Sequence, residues 1–389
     1  HNFAILLHFM KKKKIYASSF SFIILGIANA LAEKLLYEQE AIGDPNRKIH
    51  KFTKPFFFAT TLFFGVSLSL IGYIILSFSG KKGYPRISKF GIPLFLQFII
   101  PGFFDLFQGV MSSITCAFIG VSIDYMLRSA TLVGVSLISH FYFKRVFRPI
   151  QVIGVIIVTF SLLLVGLSSI ISADISSTIH VEKKWAILII ILKLLSQSTY
   201  SIELSLDEYY TQKKGVPIML VSGYQSFWAF IIGSFILLPI SHYLPGEDGK
   251  GLHEDIKDTF LMLKNNNRLV LILSICVLIE SVYQISSISL TDSTSALVRT
   301  LVESFRTFLL WLIQLFIFYG FKGIPSLEYL RGVGEEWSKG SLLQLFAFSL
   351  LLVGLLLYKG TPKNFPMRNK RKSDSNDKET KTFHVDPIL

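Results

Sequence analysis

Four apolar stretches of this sequence carry charged or polar side chains at helical spacing, and these side chains define the chemistry open to it. Arg299, Glu303 and Arg306 stand at i, i+4 and i+7. Asp124, Arg128 and Thr131 repeat that spacing, as do Glu280, Gln284 and Ser287. Lys193, Gln197 and Tyr200 do the same, in a stripe that Leu204 interrupts before Asp207. At ~100° per residue each set falls on one face of a helix. A charge near the bilayer centre costs about 2.5–3.5 kcal/mol on insertion scales, so such residues mark solute pathways or pair with one another. Guanidinium groups grip carboxylates and other oxyanions bidentately, which makes Arg128 and Arg306 candidates for an anionic solute. Glu303 and Glu280 suit a cationic group or a coupling proton. Asp124 with Arg128 reads either as part of a pathway or as an ion pair that only orients helices. Arg299, Glu303 and Arg306 hold two cations for one anion, which favours a functional reading.

A fifth feature is "PGFFD", in which Pro101 removes a backbone donor one turn before Asp105. Such a kink either lines a cavity or only eases packing, with Asp105 capping nearby backbone. Glu33 and Lys34 fall near the end of an apolar stretch, where snorkelling to the interface is the expected behaviour. Of the eight histidines, His140 lies within an apolar stretch and His242 at the end of another. There is no nucleophile–base pair, phosphate loop or Cys/His spacing for a metal, so no catalytic residue, metal or cofactor is expected. The sequence offers no positive sign of an enzyme.

The elements that must position these residues are membrane helices. Hydrophobic residues make up 51% of the chain and charged residues 17%, against about 25% charged in soluble domains. The apolar residues cluster into runs long enough to cross a ~30 Å hydrocarbon core. Ten helices are expected: 15–36, 56–78, 92–118, 123–143, 150–171, 185–209, 217–243, 269–290, 296–319 and 342–358. The formal charge of +13 has no soluble basic domain to carry it, so it reports orientation and anionic lipid rather than nucleic acid. With the N-terminus in the cytosol, 21 Lys and Arg lie on the cytosolic side and 13 opposite, so both termini are placed inside. "MKKKK" at Met10 looks like a natural start, and residues 1–14 are read as an N-terminal cytosolic segment. The following "KKKKIYASSFSFIILGIANALAE" has signal-peptide features, but a retained first span is preferred because of a repeat.

"SLLLVGL" occurs at Ser161–Leu167 and again at Ser349–Leu355, 188 residues apart. "LRSAT…FYFKR" pairs with "FRTF…FYGFK", so that Arg128 and Arg306, and likewise Lys144 and Lys322, are separated by 178. The chain is therefore read as an all-α polytopic membrane protein of ten transmembrane helices in two inverted five-helix repeats. Its parts are 15–171, a linker at 172–184, 185–358, and a basic disordered cytosolic tail at 359–389. Five crossings per half turn the second copy upside down and place a shared cavity near the midplane.

Several motifs resemble the drug/metabolite transporter superfamily, and within it the solute carrier 35, nucleotide-sugar-transporter-like group of the subfamily F, member-six type. They are "PGFFD", "YMLRSATLVGVSLISHFYFKR", "SLDEYYTQKKGVP", "VESFRTFLLW" and "LLLVGLLLYKG". The resemblance runs from about the first helix to Lys359. It implies alternating-access transport across an internal membrane (Golgi, lysosome or vesicle) rather than the plasma membrane. It highlights Arg128 and Arg306, with Asp105 and Glu303, the last standing where that pattern has an Asp. No clear nucleotide-recognition signature accompanies it. The expected candidates are thus Arg128, Arg306, Glu303, Arg299, Glu280, Gln284, Asp105, Asp124, Lys193, Gln197 and Tyr200, and the expected partners are a small polar organic solute and membrane lipid. A homodimer stays open. The alternatives are a non-transporting scaffold or adaptor with a carrier fold, or a chloroquine-resistance-type peptide or amine exporter.

Overall fold

The computed structural model describes residues 2–44, 49–80, 84–86, 90–119, 121–128, 130–144, 147–172, 183–244, 248, 252–322, 328–338 and 340–359. Most of the expected linker and the tail from 360 onward lie outside the described residues. The protein is an all-α, multi-pass membrane protein. Eight helical stretches among the described residues are long and apolar enough to cross a bilayer: Ile15–Tyr37, Pro55–Phe78, Gly91–Phe118, Ile187–Lys213, Ile218–Tyr243, Asn267–Ser293, Ala296–Gly320 and Ser341–Tyr358. Two shorter apolar helices, Thr131–Phe141 and Pro149–Ser161, fall in the fourth and fifth expected spans. Exposed Phe78, Ile92, Leu163, Phe316 and Leu356 cover the outer faces. An apolar surface of that kind belongs against lipid tails.

The first half comprises α1 (Asn2–Tyr37), α2 (Pro55–Ser67), α3 (Ser69–Phe78), α4 (Gly91–Gln97), α5 (Ile99–Phe118), α6 (Val121–Arg128), α7 (Thr131–Phe141) and α8 (Pro149–Ser172). The second comprises α9 (Lys183–Glu208), α10 (Ile218–Ile232), α11 (Leu238–Tyr243), α12 (Ile256–Asn265), α13 (Asn267–Ser293), α14 (Ala296–Gly320) and α15 (Ser341–Lys359). Between α1 and α2, β1 (Glu40–Ala41) pairs antiparallel with β2 (His50–Lys51), Glu40 opposite Lys51.

The breaks have local causes. The third span divides at Phe98, between α4 and α5, next to the carbonyl of Gln97. The ring of Pro101 crowds that carbonyl four residues back. The fourth expected span is not continuous: α6 ends at Arg128 and α7 begins at Thr131. Asn266 caps α13 by accepting from the N–H groups of Arg268 and Leu269, and Ser295 caps α14 by accepting from Val298. These side chains satisfy donors that a helix start leaves unpaired.

Packing pairs the elements in a regular way. α1 lies on α13, and α5 on α9; α2 contacts α13, and α10 contacts α5; α1 meets α14, and α7 meets α9. Each of these contacts has a counterpart when every expected span is exchanged for the one five further along. Three pairs are their own counterparts, α2 with α10, α8 with α15, and α14 with α6 and α7. The helices bearing the repeated heptapeptide therefore pack directly on each other, and they run antiparallel. Gln151, at the start of α8, donates to the carbonyl of Tyr358 at the end of α15. At the other end Leu164 joins the cluster around Phe348. Gly154 and Gly354 meet at the crossing, where a Cβ on Gly154 would lie 2.7 Å from the Gly354 carbonyl oxygen. Only glycine lets the two backbones approach so closely.

Candidate functional site

Between the two groups of helices lies a small cavity with charged and polar as well as apolar walls. α1 contributes Asn29 and Glu33, α5 contributes Asp105, Gln108 and Ser112, and α6 contributes Arg128. From the second half come Tyr200 on α9, Ser226 on α10, and Glu280, Tyr283 and Gln284 on α13. Apolar side chains of α2, among them Phe63 and Val66, complete the wall.

Asp105 reaches this cavity because of the residues before it. Gly102 allows α5 to lie against α10: a Cβ there would stand 2.6 Å from the carbonyl oxygen of Gln225. One turn later Gln225 Nε2 donates to Asp105 Oδ2 at 3.0 Å and to Glu203 Oε1 at 2.5 Å. The "PGFFD" motif thus both kinks the span and lines the cavity.

The two arginines that the 178-residue offset relates come together at the centre. Arg128 lies over the Tyr125 ring at 4.4 Å and Arg306 over the same ring at 5.2 Å. Glu303 stands between them, 3.3 Å from Arg306 and 3.9 Å from Arg128. Tyr125 and Glu303 are separated by 178 residues, the same offset as Arg128 and Arg306. Arg128 also reaches Asp124 at 3.3 Å and donates to Ser112 at 2.5 Å. Asp124 in turn holds Lys193 of α9 at 2.6 Å.

The surplus cation expected from the spacing in α14 is not found. Arg299 donates to Asp207 Oδ2 at 3.2 Å and to the Tyr200 hydroxyl at 2.9 Å. Arg306 donates to the Tyr283 hydroxyl at 2.7 Å as well as to Glu303. Both partners of Arg299 come from α9, and spacing along one helix cannot show a partner on another. Of the expected candidates, Asp105, Arg128, Tyr200, Glu280 and Gln284 line the cavity. Asp124, Lys193, Gln197, Arg299, Glu303 and Arg306 form the buried layer beside it, where Gln197 accepts from Thr131 at 2.8 Å.

Glu33, Asn29 and Glu203 are among the residues of the site that escaped the sequence reading. Glu33 is not at the interface; it is 4% exposed and lines the cavity. Its neighbour Lys34 alone turns away, to the carbonyl of Gly334 at 2.7 Å. Asn29, one turn before Glu33, donates to Glu280 Oε2 at 2.7 Å. Glu203 continues the α9 stripe past Leu204, since Tyr200, Glu203 and Asp207 are spaced i, i+3 and i+7. Those helical spacings were the available signal for both acids.

At one end of the bundle the loops close over α2. Buried Lys54 contacts Asp248 and lies 2.8 Å from Asp258, which also meets His50 at 3.0 Å. His50, Asp248 and Asp258 are close enough to share a cation, and the ammonium of Lys54 already supplies that charge. Burial works to raise the Asp258 carboxyl, but hydrogen bonds from Lys54, the Asp44 N–H and His50 hold it well below the usual range. Glu254 accepts from the N–H groups of Phe56 and Phe57 at 2.5 and 3.0 Å, covering the start of α2. Its burial outweighs those bonds and pushes its carboxyl up to about 8.

No family model matches the chain. Solute carrier family 35 member F6 of Rattus norvegicus is 25% identical over 343 residues, covering 87% of this chain and 86% of its own length. The protein of the same name from Homo sapiens is 24% identical over 346 residues, covering 87% and 86%. An uncharacterized protein of Schizosaccharomyces pombe is 23% identical over 347 residues, covering 88% and 96%. One solved structure aligns over 89% of this chain and 96% of its own at a TM-score of 0.49 and 13% identity, a likeness too loose to bear on fold or function.

Proposed function

Because the chain is a relative of the solute carrier family 35 member F6 proteins, we propose that it is a secondary transporter. It moves a small polar organic solute across an internal membrane by alternating access. The observation that carries this reading is the cavity walled jointly by α1, α2, α5 and α6 on one side and α9, α10 and α13 on the other. Ten spans in two inverted five-helix repeats give that cavity its form. The exchange symmetry of the helix contacts and the antiparallel pairing of α8 with α15 support this organisation. A site shared by two such halves opens to alternate sides as one half rocks against the other. Both termini then lie in the cytosol.

The cavity residues Asp105, Arg128, Tyr200, Glu280 and Gln284 contact the solute. Asp124, Lys193, Gln197, Arg299, Glu303 and Arg306 hold the helices that carry them and exchange partners as the halves move. Among these, Arg306 touches both sides of the central seam, through Tyr125 of α6 and Tyr283 of α13.

Solutes that raise the melting temperature of the purified protein identify the cargo, since a ligand of the folded state stabilises it by mass action. Counterflow of that solute in proteoliposomes tests transport. Arg306→Ala is expected to abolish counterflow while the protein still inserts; flux at the wild-type rate would remove Arg306 from the moving seam.

A further inference from the structure

The buried charges of the spans do not balance. Arg128, Lys193, Arg299 and Arg306 are met by Asp124, Asp207 and Glu303. Glu208 closes the start of α14, accepting from the Ala296 N–H at 2.9 Å. Four further carboxyls, Glu33, Asp105, Glu203 and Glu280, have no basic partner within salt-bridge distance among the described residues. Among the described residues, neutral amides reach three of them, Asn29 donating to Glu280 and Gln225 to Asp105 and Glu203, and Glu203 also shares a hydrogen bond with Asp207. Glu33, 4% exposed, receives no side-chain hydrogen bond from the described residues. Three of the four, Glu33, Asp105 and Glu280, line the cavity, with only Arg128 as a basic lining residue, and Arg128 is already engaged by Asp124 and Ser112.

From this arrangement we infer that the cavity binds an organic cation, a solute carrying one or more protonated amines. The inference rests on the carrier reading above and names the substrate class of the same site. Carboxyls removed from water either hold a proton or need compensating charge, and a solute cation that displaces the proton supplies that charge where no fixed one does. A single metal ion fits poorly. The cluster of three or more ligands that converges within 4.8 Å is His50, Asp248 and Asp258 in the loops, and the cavity carboxyls form no such group. Acids spread over α1, α5 and α13 suit a molecule with extent, whose ammonium groups reach separate walls. Of the two readings left open by the spacing, this favours the cationic group suited to Glu280 over an anion held by Arg128 and Arg306, because those guanidiniums contact the protein's own acids.

The test is a matched panel on the purified full chain: cadaverine, choline and tyramine; glutarate and hydroxyphenylacetate; pentanediol. Melting-temperature shifts measure binding, and counterflow of each radiolabelled binder in proteoliposomes measures transport. Amines are expected to stabilise the protein and their matched carboxylates not to. Glu33→Gln and Glu280→Gln should each weaken amine binding at least about tenfold, as loss of a charge-assisted contact does. Stabilisation by the carboxylates, or by no amine in the panel, overturns the inference and leaves the carrier reading intact. Amine binding without counterflow sustains the inference and removes the carrier reading instead. Should either variant fail to fold, the wild-type panel still decides the charge class.

Discussion

At the scale of single residues, the buried cations hold the central seam. Arg299, 0% exposed, is tied to Asp207 and Tyr200 of the neighbouring helix. Arg299→Ala leaves Asp207 buried and uncompensated, and should cost about 3–5 kcal/mol. Adding Asp207→Asn should recover most of that loss, because no bare charge then remains. A double-mutant cycle on unfolding in detergent measures the coupling; additive losses would mean the pair does not act as a unit. The loop cluster responds to pH in two directions. Glu254, held high at about 8, adds stability that is complete below the ordinary carboxylate range and lost as pH rises through about 8. Asp258, held low by Lys54, the Asp44 N–H and His50 against its own burial, adds stability above that range and loses it only in strong acid. Hydrogen exchange at the Phe56 and Phe57 amides, corrected for intrinsic rate, should show greatest protection in mild acid and decline toward alkaline pH. Protection that rises with pH would contradict the burial argument.

At the scale of elements, helix contacts turn on a few positions without side chains. Gly154 and Gly354 let α8 and α15 cross backbone to backbone, and Gly102 does the same for α5 on α10. Gly154→Ala places a methyl against the Gly354 carbonyl, which cannot swing aside as a flexible side chain would. Overpacking of this kind costs about 1–3 kcal/mol, read as a lower melting temperature. The usual gain of alanine over glycine inside a helix is smaller, so the net sign is destabilising. An unchanged or higher melting temperature would show that the crossing is looser than drawn. The repeated heptapeptide made this pair visible in the sequence, but only as two similar helices. That they touch, and at which glycines, depends on how the other helices arrange themselves around the cavity.

At the scale of the whole molecule, the two halves share one wall of charge. If the second half is inverted, the loop between α1 and α2 and the one between α9 and α10 lie on opposite sides of the membrane. Ile49→Cys and Lys213→Cys, both at exposed positions, test this in sealed vesicles. An impermeant maleimide should label one and spare the other. Labelling of both from the same face would remove the inverted arrangement. The native cysteines Cys116 and Cys276 are buried and should stay silent.

By itself the sequence determined the class of protein and the positions of its helices, because lipid demands long apolar runs and a helix repeats every 3.6 residues. It also determined which helix faces are polar, and so pointed to Arg128, Arg306, Glu280 and Asp105. Only the tertiary structure decided how those charges pair. Asp207 reaches Arg299 across 92 positions, and Asn29 reaches Glu280 across 251. Spacing within one helix shows charges that share a face, whereas compensation is settled between helices. That is why the arginines, conspicuous in the sequence, already contact the protein's own acids, while Glu33, taken for an interfacial residue, faces the cavity without a basic partner among the described residues.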